Sequence, residues 1–139
     1  MRRIWVTLLL ALAVVGCGSS TATSGAAGGN GGGGGNPTAT VIMSGQTYHL
    51  SGGTCTDVGV LGTEVAVGDY HNGEAGSGDY LDMMVKGNTV STVAGRAGGV
   101  PWALATGKQS GSIGADMTGT FSGTDFASGT HVEGTFACH

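Results

Sequence analysis

Three cysteines carry most of the reactive chemistry available to this 139-residue chain, at positions 17, 55 and 138. Cys17 follows Arg2 and Arg3, the apolar stretch Ile4 to Val15, and Gly16. A basic start, a short apolar run and a small residue before the cut describe an export signal, too short to be a membrane span. Val14-Val15-Gly16-Cys17 fits the bacterial lipobox pattern. Cleavage before Cys17 places its thiol at the first mature position, where it accepts a diacylglyceryl group, and its freed amine accepts a third chain. The competing reading is an ordinary secretory signal with a chance cysteine. Cys55 and Cys138 remain as an even pair, which outside the cytoplasm forms a disulfide. A reactive thiol pair or a metal site is the alternative, but two cysteines so far apart supply no ligand cluster.

The other polar groups offer less. His49, His71, His131 and His139 occur singly, without the short spacing of a metal site. Asp69, Glu74, Asp79 and Asp82 crowd near glycines as weak calcium ligands would, yet no Asp-x-Asp-x-Asp-Gly loop is present. No serine lies in Gly-x-Ser-x-Gly. The glycines of 31–35 lack the Lys-Ser/Thr sequel of a phosphate loop. The sequence therefore nominates no catalytic residue, no metal and no cofactor.

Charge narrows the partners. After cleavage the chain keeps Lys86, Arg96 and Lys108 against nine carboxylates, a formal net charge of −6. So few cations neutralise few phosphates, which excludes nucleic acid as a partner. An anionic lipid surface would also gain nothing from charge, so any anchor is hydrophobic, at about 0.8 kcal/mol per buried methylene.

Residues 1–16 thus read as a lipoprotein signal peptide, and 17–38 as a lipidated cysteine with a Gly/Ser/Thr-rich tether. That tether has nothing to bury and is expected to be disordered, holding the domain roughly 25 Å from a bilayer. Residues 39–139 form the domain. Its short Thr- and Val-bearing runs between glycines suggest strands: Thr40–Met43, Thr47–Cys55 with a bulge or bend, Glu64–Asp69, and Asp79–Val85 turning at Lys86-Gly87-Asn88 into Thr89–Val93. Further strands are expected at Val100–Thr106, with Pro101 at a strand start or edge, in a region from Ile113 through Met117 to Phe121, and at Thr130–Cys138. In the last, Val132, Gly134, Phe136 and Cys138 share one face, and His131, Glu133 and Thr135 the other. Seven to eight strands imply an all-β fold, a small antiparallel sandwich or a partly open barrel, linked by the disulfide. Trp102 and Phe136 are expected in the core, with Tyr70 and Phe126 in turn-rich surroundings.

The order of these features resembles the LpqH-like family of mycobacterial lipoprotein antigens. Beyond Cys17 and its tether, Val41-Ile42-Met43-Ser44-Gly45 looks like the family's opening strand and turn, Cys55 matches its first domain cysteine, and Val132 to Cys138 resembles its closing strand. Thr118 to Asp125 is similar to the strand and turn before it, whereas residues 59–78 depart from the pattern. The resemblance implies a non-catalytic surface antigen held by membrane lipid through acylated Cys17, on the extracytoplasmic side of the cell membrane. It further implies contact with an envelope component or sensing by a host innate receptor. The alternative is an envelope carrier holding a lipid or other apolar ligand between its sheets, which requires a sizeable apolar cavity.

Overall fold

The computed structural model describes residues 36–71 and 73–139, so Cys17 and most of the tether lie outside the described residues. Among the described residues ten strands form two antiparallel five-stranded sheets. They are β1 (Thr38–Met43), β2 (Gln46–Ser51), β3 (Gly53–Asp57), β4 (Thr63–His71), β5 (Glu74–Lys86), β6 (Thr89–Ala97), β7 (Val100–Ala103), β8 (Ser110–Ile113), β9 (Thr118–Thr124) and β10 (His131–Ala137). Sheet A has the order β2-β1-β10-β9-β8, and sheet B runs β3-β4-β5-β6-β7. The sheets do not close on each other, so the fold is a sandwich and not a barrel.

Alternation along the strands builds the interior. Val41, Phe121, Val132 and Phe136 face inward from sheet A, and Val65, Val67, Leu81, Met83, Val93 and Trp102 from sheet B. Trp102 stacks on Phe121 across the interior, ring centroids 6.1 Å apart and 8° from parallel.

The chain changes sheets at two corners. Gly52 donates its N–H to the carbonyl of Pro37, just before β1 of sheet A, and accepts from the N–H of Gly68 on β4 of sheet B. The segment expected to be one bent strand from Thr47 to Cys55 is therefore two strands in two sheets, with Gly52 and Gly53 both at positive φ. At the second corner Leu104 donates to Val93 while Ala105 donates to Thr124.

The Lys86-Gly87-Asn88 turn joins β5 to β6 as expected, but β6 runs on to Ala97, and β4 and β5 reach through Gly68, Gly76 and Gly78. Gly68, at φ +92, marks a register shift, and a Cβ there would approach the Asp79 carbonyl. The expected strand through Ile113 and Met117 is instead a turn between β8 and β9. Met117 sits at φ +59 and donates to Gly114.

Candidate functional site

Cys55 and Cys138 are bonded, with Cα atoms 5.7 Å apart at a sequence separation of 83. The bond ties β3 of sheet B to the residue following β10 of sheet A. Both sulfurs are spent on structure.

The four histidines are scattered. His49 on β2 has Nδ1 3.3 Å from the Thr40 hydroxyl, an exposed pair with no carboxylate bonded to the ring to orient it. His71 ends β4 with Nε2 3.2 Å from Asp69, and His131 sits 3.5 Å from Glu133. Both histidines are exposed, and surface ion pairs of this kind contribute little to stability. His139 is exposed at the end of the chain.

The acidic stretch divides into separate tasks. Asp69 accepts a 2.6 Å hydrogen bond from the Gly78 N–H, fastening the far end of the β4–β5 hairpin. Asp79 accepts from the N–H groups of Gly98 and Gly99 and holds the β6–β7 turn. Asp82 lies half-buried on the outer face of sheet B. Burial and the nearby Glu64 carboxylate push its carboxyl above the usual range, against a smaller opposing pull from Tyr70. The Tyr70 hydroxyl is raised in turn, by burial first and then by Asp82 and Glu64. Among the described residues no group of three His, Cys, Asp or Glu is arranged to hold a metal.

One important carboxylate was not apparent in the sequence. Asp125 is buried and accepts from the Ala103 N–H at 2.9 Å and from both the N–H and hydroxyl of Ser128. Burial acts to raise its pKa, but the donors from Ser128, Ala103 and Ala127 together outweigh it and hold the carboxyl below the usual range. The Asp-x-x-Ser spacing signals the local turn. The bond to Ala103, 22 residues away, has no local signal.

The most distinctive surface is the outer face of sheet A, where the paired registers align hydroxyls in rows. Thr40, Thr135, Thr120 and Ser112 form one row across β1, β10, β9 and β8. Thr38, Ala137 and Thr118 form the row beside it, and Ile42, Glu133, Ser122 and Ser110 the row on the other side. Two open hollows of about 590 and 540 Å³ flank the central row. A third, of about 630 Å³, lies on sheet B between Thr54, Thr56, Glu64 and Tyr70. Among the described strand residues, the sheet A face carries hydroxyls, the Glu133 carboxylate and the imidazoles of His49 and His131, with no Lys or Arg, so it is built for hydrogen bonding more than for charge pairing. No helix among the described residues is long and apolar enough to cross a membrane.

No family model, curated protein or solved structure matches the chain.

Proposed function

We propose that this chain is a non-catalytic lipoprotein of the cell envelope, anchored through acylated Cys17, whose β-sandwich serves as a contact surface for envelope or host components. The observation that carries this reading is the apolar run ending in Val14-Val15-Gly16-Cys17 behind two arginines. A thiol there is positioned for acylation, and two or three chains anchor firmly where one is marginal.

The interior favours a contact domain over a carrier. Phe121, Leu81, Met83 and a set of buried valines fill the space between the sheets, where a carrier would keep its ligand. The three hollows open outward on the sheet faces, and none lies between the sheets.

Fractionation of cells expressing Cys17→Ala tests the reading. Loss of the protein from the membrane fraction is expected, and unchanged fractionation contradicts acylation. Mass spectrometry of the delipidated domain tests the carrier alternative, which a stoichiometric co-purified lipid would favour.

A further inference from the structure

We infer that β2 is a self-pairing edge, joining two copies of this chain antiparallel through their sheets A. Every open sheet has two edges, and each edge presents unpaired backbone groups unless something blocks it.

Two of the four edges here are blocked by hydrogen bonds to their outward groups, and a third is bent and charged. On β7, Pro101 has no N–H to offer, while the Ala103 N–H is taken by Asp125 and its carbonyl by Phe126. On β8, the Ile113 N–H is bonded to the Gly87 carbonyl, and Gln109 reaches across to the Val90 and Ser91 carbonyls. The β3 strand is kinked by Gly53 at φ +102, strapped by the disulfide, and ends in the charge of Asp57.

The β2 edge carries no such device. The Gly52-to-Pro37 bond fixes the alternation, so Gln46, Tyr48 and Leu50 bond to β1 while Thr47, His49 and Ser51 direct their N–H and C=O groups outward. All three residues are exposed, and among the described residues no hydrogen bond reaches those backbone groups. The strand, Gln-Thr-Tyr-His-Leu-Ser, holds no Asp, Glu, Lys or Arg, so two copies meet without repulsion between fixed charges on the paired strands.

The same alternation selects the register. Placing His49 opposite its own copy sets Thr47 against the partner's Ser51, and all six outward groups on each strand find partners. On the inner face, half-buried Tyr48 then meets the partner's Leu50, covering the ring that now lies beside Gly98 at the open side of the sandwich. The product is one continuous ten-stranded sheet with the hydroxyl rows of both copies on a single face.

Cross-linking of full-length protein in its own membrane tests this. In a hydrogen-bonded antiparallel pair the Cα atoms lie about 5.5 Å apart, within reach of a disulfide, whereas equivalent residues two positions off the axis are roughly 13 Å apart. Mild oxidation of His49→Cys should therefore yield a covalent dimer on a non-reducing gel, roughly tenfold more than Thr47→Cys under the same treatment. The unmutated chain controls for any link through an unacylated Cys17, which separates failure of the anchor reading from failure of this one. Sedimentation in detergent should show a concentration-dependent dimer that His49→Pro abolishes, since that change removes an outward N–H and no bond to β1. A His49→Cys protein that stays unlinked, a link formed equally well at position 47, or a protein monomeric at every concentration would each overturn the inference.

Discussion

Phe121 occupies the space that a side chain at its directly paired neighbour, Gly134, would need: a Cβ there would fall 2.6 Å from the ring. Phe136 stands in the same relation to Gly119, and Trp102 to Gly95, each again a cross-strand pair. All three buried aromatics of the interior thus pack on a glycine in the adjacent strand. Only eight Phe, Trp and Tyr residues are present in the whole chain, and this arrangement lets a few of them fill a core. Here glycine in a strand marks close approach and not weakness.

Gly134→Ala is therefore expected to be severe. The new methyl would meet both the Phe121 ring and the Thr40 carbonyl, and overpacking of this kind costs about 1–3 kcal/mol or more. Gly45→Ala meets nothing within 4 Å and bears only the strain of φ +73, about 1 kcal/mol. Urea titration followed by fluorescence of Trp102 ranks the two variants. Equal losses would contradict the packing argument.

Removing the disulfide should also cost much. A bond closing so long a loop restricts the unfolded chain by about 4–5 kcal/mol in the chain-entropy account. Thermal melts of Cys55→Ser, or of the unaltered protein with reductant, should show a large drop in Tm. Native protein in which both thiols react freely with a thiol reagent would contradict the pairing.

Asp125 should make the fold acid-sensitive. Its carboxyl is held below the ordinary carboxylate range when folded, so its contribution is full above that range and is lost as pH falls through the lowered folded value. Asp125→Ala should cost about 2–3 kcal/mol at neutral pH by orphaning the Ala103 and Ser128 donors. The variant's loss should shrink as the medium is acidified below the ordinary carboxylate range. A loss independent of pH would show that shape, and not charge, is what the residue contributes.

Asp82 should behave in the opposite sense. Its carboxyl is raised in the fold, so the ionised form is penalised at neutral pH, and the penalty disappears as pH falls to the unfolded value. Asp82→Asn is expected to stabilise the domain at pH 7 and to be neutral in acid. A destabilised variant at pH 7 would mean that its contact with Tyr70 outweighs burial.

Local patterns made part of this architecture legible. The alternation of Val132, Phe136 and Cys138 identified the inward face of the last strand, and Pro101 does lie on an edge. The all-β class was readable because period-two patterning is a local fact, with sandwich and partly open barrel both left open. The cysteine pairing was readable because assigning Cys17 to the anchor leaves two cysteines. What the sequence hid was decided at a distance. Gly52 reads like any turn glycine until Pro37, just before β1 of sheet A, and Gly68 of sheet B are seen bonded to it. Gly76 and Gly78 look like breaks, yet both lie within β5 beside Asp69, whose carboxylate occupies the space either side chain would take. The hydroxyl row of sheet A joins residues from four strands, and no spacing along the chain announces it.

The anchor reading is tested most directly by the mass of the N-terminal peptide of the mature protein, isolated from its native host. The account predicts a peptide beginning at Cys17 and bearing a thioether-linked diacylglyceryl group, with or without an acylated amine. A peptide that still begins at Met1, or a Cys17 with an unmodified thiol, would contradict it.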